Sequence, residues 1–178
     1  YTRLDRKTRH AADMYINVLE QLGVRDTSND GLSIITCPAW RSVAHQFYTA
    51  HGVRPDDTLI GFNVGSAVPE KRWPKDRFGA VADYFAKKGY KTVFFGGSMD
   101  EDMVKDVVGS METQPIVATG QFSIGELAAA MARCSLLITN DSGPMHVGIS
   151  QGVPIVALYG PSNPMFYGPY KSKCIVLE

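Results

Sequence analysis

Several features are missing from this sequence, and each absence removes a class of function. No apolar run approaches the ~20 residues a helix needs to cross a bilayer. The opening residues do not read as a secretory signal. Net charge is zero, with 18 basic and 18 acidic residues and no basic block or arm, so nothing points to a nucleic-acid surface. The only cysteines, Cys37, Cys134 and Cys174, are far apart and form no CxxC pair. A zinc site is therefore not expected, and free thiols of a reducing compartment are. No GxGxxG occurs, so a dinucleotide redox cofactor has no support. Repeats, low-complexity segments and long linkers are absent, and no Ser-His-Asp or Cys-His arrangement can be argued.

What remains is the composition of a globular domain: 178 residues, 44% hydrophobic and 20% charged. The first residue is Tyr1 rather than Met. The expectation is an excised piece of a longer chain. Ala12, Tyr15, Val18, Leu19 and Leu22 fall at helical spacing, with Gly23 after them as a natural stop. The polar stretch from Arg25 to Gly31 reads as a joint, dividing 1–30 (a helix and linker) from 31–178 (the main domain).

In the main domain, short apolar β-branched runs alternate with amphipathic helical stretches. Strands are predicted at 32–35, 59–64, 92–95, 116–118, 136–139, 154–158 and 175–177. Helices are predicted at 39–51, 76–88, 100–108, after Ser123, and at 144–150. Ser123 and Glu126 form a capping-box pattern. Continuous apolar strands alternating with helices imply an α/β fold, a Rossmann-like parallel sheet with helices on both faces.

Ligands of such sheets bind beyond the carboxyl ends of the strands, where four Gly- or polar-rich loops of this chain fall. In Asn140-Asp141-Ser142-Gly143-Pro144-Met145-His146 an apolar strand gives way to a helix. Ser142 and Gly143 thus sit at a helix N-terminus, whose free N–H groups and dipole suit a phosphate. Pro144 costs no hydrogen bond in the first turn. Asp141 has three readings: a turn-forming Asx residue, a sugar ligand, or an acid/base. His146, one turn into the helix, reads first as a structural hydrogen-bonding residue.

The loop Gly65-Ser66-Ala67-Val68-Pro69-Glu70-Lys71-Arg72-Trp73-Pro74 offers close backbone approach at Gly65 and Ser66. Its Lys71 and Arg72 are either donors to a diphosphate or solvated surface charges. Trp73 reads as a packing residue. In Gly96-Gly97-Ser98-Met99-Asp100-Glu101 the two carboxylates either take ribose hydroxyls or complement a helix dipole. The last loop, Thr119 to Ser123, could close over a base or sugar, or simply enter the capped helix.

Taken in order, Asn63-Val64-Gly65-Ser66, Lys71-Arg72-Trp73-Pro74, Phe95-Gly96-Gly97, Asp141-Ser142-Gly143-Pro144-Met145-His146, Gly152-Val153-Pro154 and Tyr159-Gly160-Pro161 resemble the glycosyltransferase family 9 heptosyltransferases. These include the ADP-heptose:lipopolysaccharide heptosyltransferases. The resemblance implies the C-terminal, donor-binding half of a two-domain, B-type-fold, inverting and metal-independent bacterial transferase. Carried over, Ser66 and Lys71 would contact the donor phosphates and nearby sugar. Asp100 or Glu101 would take the ribose, and Asp141 the transferred sugar. Ser142 and Gly143 would hold the diphosphate, with Gly65, Arg72 and His146 supporting the site. The chain has Ala67 where the family often carries a second small hydroxyl.

The family's general base is an Asp of the N-terminal half, with no counterpart here. This stretch alone is expected to bind ADP-heptose or a similar nucleotide sugar but to transfer poorly. The lipopolysaccharide core acceptor would be reached through the other half. The implied setting is cytoplasmic, at the inner face of the cytoplasmic membrane. Two other readings stand beside this one: a nucleotide- or phosphate-binding module with no transferase role, such as a flavodoxin-like protein, and a UDP-sugar epimerase of the same fold.

Overall fold

A computed structural model describes residues 10–26 and 29–178. Its centre is a six-stranded sheet, parallel throughout. In chain order the strands are β1 (Leu59–Asn63), β2 (Lys91–Phe95), β3 (Ile116–Val117), β4 (Leu136–Asn140), β5 (Ile155–Leu158) and β6 (Cys174–Leu177). Across the sheet they run β3-β2-β1-β4-β5-β6. The helices are α1 (Ala11–Gln21), α2 (Pro38–Ala50), α3 (Lys75–Lys87), α4 (Glu101–Gly109), α5 (Ile124–Met131), α6 (Gly143–Ser150) and α7 (Pro164–Tyr167).

Strand side chains alternate between two cores, because successive residues of a strand point to opposite faces. Leu59, Val93, Phe95, Leu137 and Ile155 face α2, α5 and α6, whose Ala44, Tyr48, Ala130, Met131, Met145 and Ile149 complete one core. Ile60, Phe62, Phe94, Ile138 and Leu158 face the other way, onto Phe78 and Ala82 of α3 and Val104 and Val107 of α4. Gly61 sits where the first core is tight: a Cβ there would lie 3.0 Å from the Phe95 ring and 3.2 Å from Cys134 Sγ. Cys134 is thus a packing residue, as its place before a strand implies.

The helix ends follow the sequence signals. Ser123 N donates to Glu126 Oε2 at 2.8 Å, closing the capping box of α5. Gly52 and Gly89 follow α2 and α3 at φ 66° and 90°, a backbone region that glycine enters without steric cost.

One expectation needs correction. The apolar run 32–35 is not a strand. It pairs with no strand of the sheet among the described residues, Ile35 is exposed, and the Gln151 side chain donates to the Ile34 carbonyl at 2.9 Å. The turn-rich loop after β5 holds the short helix α7, capped by Asn163, whose Oδ1 accepts from Met165 N at 2.8 Å.

The helix predicted near the start is α1, but its apolar side is not buried on the sheet. Tyr15, Leu19 and Leu22 are exposed and only Ala11 is buried. His10 at its start stacks on Tyr170 at 4.5 Å, and its Nε2 lies 3.0 Å from the Gly168 carbonyl.

Candidate functional site

The strand order reverses direction between β1 and β4. From β1 the chain works outward to β2 and β3, and from β4 to β5 and β6. Loops leaving the ends of β1 and β4 therefore diverge, and open a crevice at the carboxyl edge of the sheet. Two fully buried asparagines end these strands, Asn63 and Asn140. Asn140 ties down both ends of the loop after β1: its Nδ2 donates to the Val64 carbonyl at 2.8 Å, and its Oδ1 accepts from Trp73 N at 2.9 Å. Trp73 packs edge-on against Phe78 at 5.2 Å, the packing role expected of it.

Asn63 reaches the other way. Its Nδ2 lies 2.8 Å from Ser142 Oγ and 3.2 Å from both Thr139 Oγ1 and the Gly65 carbonyl. Ser142 is the N-cap residue of α6, with φ −157° and ψ 170°. A serine there ordinarily turns its hydroxyl onto the first N–H groups of the helix. Here the hydroxyl makes no such bond. It is held back by Asn63 and donates to the Asn140 carbonyl at 3.3 Å. Helix α6 therefore begins without a side-chain cap. Its second residue, Pro144, has no N–H, and Gly143 is exposed, with no atom within 4 Å of where a Cβ would stand. The N-terminus of α6 is presented bare to an open space, the condition for binding an anion.

Facing it is an ion pair. Lys71 closes a single 3₁₀ turn, Pro69–Lys71, and its Nζ donates to Asp141 Oδ2 at 2.6 Å. Asp141 is held by its own backbone, whose N–H donates to the Leu158 carbonyl of β5 at 3.2 Å, and its side chain is only 5% exposed. Ser162 Oγ, from the loop after β5, donates to the same Oδ2 at 2.6 Å. Asp141 therefore does not close an Asx turn, and Lys71 is not a free surface charge.

The remaining predicted residues fall around this core. Gly65 lies beneath Asp100: a Cβ on Gly65 would sit 2.3 Å from Asp100 Oδ1. Asp100 Oδ2 accepts from Gly97 N at 2.9 Å, so this carboxylate caps its own turn as well as facing the β1 loop. Glu101 stands apart, exposed, with Oε1 3.1 Å from the Cβ position of Gly120. Ser66 is buried; its Oγ accepts from Val68 N at 3.3 Å and its carbonyl accepts from Arg72 Nε at 2.9 Å. Both residues thus shape the loop. His146 is half-buried on the first turn of α6. Burial lowers its pKa from the ordinary 6.5; the nearby Asp141 carboxylate pulls the other way, and His10 adds to the lowering. Burial also pushes the Tyr159 phenol well above its ordinary range, and Asp141 adds to the rise.

The crevice thus gathers Lys71, Asp141, Ser142 and Gly143 at one point, with Asp100 beside Gly65 and Glu101 outside the group. Sequence reasoning gave no role to Asn63, Asn140 or Ser162. The only signals were that the two asparagines end apolar strands and that Ser162 follows Tyr159-Gly160-Pro161.

The family model described as glycosyltransferase family 9 (heptosyltransferase) matches residues 4–178. A crystal structure of a glycosyl transferase family 9 protein from Veillonella parvula DSM 2008 is 75% identical, with a TM-score of 0.95 over 100% of this chain and 52% of that one. The structure of Escherichia coli ADP-heptose lps heptosyltransferase II is 28% identical, with a TM-score of 0.72 over 82% of this chain and 44% of that one. Lipopolysaccharide heptosyltransferase 2 of E. coli K12 is 29% identical across 93% of this chain and 50% of its own length. The chain spans about half the length of these relatives.

Proposed function

The chain belongs to glycosyltransferase family 9, and on that basis we propose that it is the donor-binding half of an inverting enzyme that moves heptose, or a related sugar, from ADP-heptose to a lipopolysaccharide core acceptor. One observation carries the reading. Helix α6 begins without a side-chain cap and with open space at Gly143, two residues after the Asp141 carboxylate that receives Lys71, where the strand order reverses. Amide dipoles and an ammonium converging there suit a diphosphate. The names of the heptosyltransferase relatives supply the sugar and the acceptor.

In this reading the Gly143 amide and Lys71 take the diphosphate, Asp141 takes a hydroxyl of the transferred sugar, and Asp100 rather than Glu101 takes the ribose. Asp100 is preferred because it borders the crevice at Gly65, whereas Glu101 faces Gly120. An acceptor hydroxyl attacks the anomeric carbon from the side opposite ADP, and the bond from that carbon to the phosphate oxygen breaks. The acceptor's proton passes to a base outside this stretch. The charge left on ADP is met by the α6 amides and Lys71, so no metal is assigned to this step. Residues 1–30 then join this domain, 31–178, to the acceptor-binding half. Among the described residues no helix is long and apolar enough to cross a membrane. The proposed setting is cytoplasmic, at the inner face of the membrane that bears the acceptor.

Calorimetric titration of the chain with ADP, UDP and FMN tests the reading. Binding of ADP in preference to UDP and FMN is expected. Preference for UDP would favour the epimerase, and FMN binding without a response to ADP would place the chain outside the transferases.

A further inference from the structure

The loop after β5 forms a third wall of the crevice, and nothing in the motifs at Lys71 and Asp141 accounts for it. Tyr159 anchors one end, buried, with its hydroxyl donating to the Tyr167 carbonyl at 3.2 Å. Asn163 caps α7 at the other. Between them Gly160 presses on the Lys71 turn: a Cβ there would lie 3.1 Å from the Glu70 carbonyl. This firmly held loop places Ser162 Oγ 2.6 Å from Asp141 Oδ2, the oxygen that also receives Lys71.

We infer that Ser162 is a positioning residue that fixes the Asp141 carboxylate for the donor's sugar, so that the site distinguishes a nucleotide sugar from the bare nucleotide. The inference rests on the donor-site reading above. Both donors share Oδ2, and Oδ1 takes neither of them. When a diphosphate draws Lys71 away, the short Ser162 bond still holds Oδ2 of a nearly buried carboxylate. It keeps Oδ2 satisfied and Oδ1 turned to the ligand. Without that hydroxyl the carboxylate is held less firmly and can follow Lys71. The sugar then loses an oriented acceptor, while ADP, which has no sugar hydroxyl to offer Asp141, loses far less.

The test measures affinities of the chain for ADP-heptose and for ADP, with thermal melts alongside. Ser162→Ala is expected to lower the preference for ADP-heptose over ADP by about fivefold or more. Ser162→Thr, which keeps the hydroxyl, should restore that preference. Ser162→Cys keeps the size and weakens the donor, and carries the same expectation as alanine should alanine fail to fold. Equal losses for both ligands, or no loss, would overturn the positioning role. A wild-type chain that binds neither ligand would instead overturn the donor site on which the role depends.

Discussion

Lys71 Nζ stands 2.6 Å from Asp141 Oδ2, across the seam between the β1 and β4 loops. The pair is made where a diphosphate would lie, so phosphate must compete with the carboxylate for the ammonium, and the carboxylate itself repels the phosphate. Asp141→Asn removes the charge but keeps the shape and an acceptor for Ser162. It should tighten ADP binding by about two- to tenfold while lowering the preference for ADP-heptose over ADP. Calorimetry with both ligands checks this, and weaker ADP binding would count against it.

Lys71→Ala should act in the opposite sense on the nucleotide. Loss of a charge-assisted contact to phosphate is expected to cost ~1–3 kcal/mol of ADP affinity. The same change takes the compensating charge from a nearly buried carboxylate and leaves it neutral donors such as Ser162. Stability in urea should therefore fall as well, by roughly 1 kcal/mol or more. Unaltered ADP affinity would return Lys71 to a purely structural role.

Gly143→Val separates ligand from fold. No atom lies within 4 Å of a Cβ at Gly143, so the folded chain has room for the side chain. A ligand drawn to the helix amides does not. The melting temperature should shift by no more than about 2 °C, whereas ADP affinity should drop about tenfold or more. A side-by-side melt and titration decides it. A fully stable variant with wild-type affinity would remove the phosphate from α6.

The strand-loop-helix boundary at Asn140 to Pro144 was legible in the sequence because each signal is local: an apolar run, a polar turn, and a proline that fits only the first helical turn. The parallel order was legible for the same reason, since strands alternating with helices force crossovers. Residues 32–35 misled because an apolar run shows the capacity to pair but not whether the chain is carried to a sheet edge; Ile35 faces solvent and the Ile34 carbonyl is taken by Gln151 instead. Ser162 was illegible because it reaches Asp141 only once β5 lies beside β4, with Asn140 opposite Leu158. The diverted hydroxyl of Ser142 could not be read either. A serine before a helix predicts a cap, and only the buried Asn63, 79 positions away along the chain, turns it aside.

His146 gives the fold a pH signature. Burial lowers its folded pKa from 6.5, so the unfolded chain takes up its proton first as pH falls. The stabilisation is complete above the unfolded value and is lost as pH drops through it toward the lowered folded value. Urea midpoints at about pH 7.5 and about pH 5.5 should therefore separate more for wild type than for His146→Gln, which cannot titrate. Equal separations would show that the imidazole does not set this slope.

A crystal structure of the chain with ADP-heptose bound tests the central claim most directly. The diphosphate should lie within hydrogen-bonding distance of the Gly143 amide, with Lys71 turned from Asp141 toward it and Ser162 still on the carboxylate. A diphosphate bound elsewhere, with the Lys71–Asp141 pair intact and Gly143 facing empty solvent, would contradict the account.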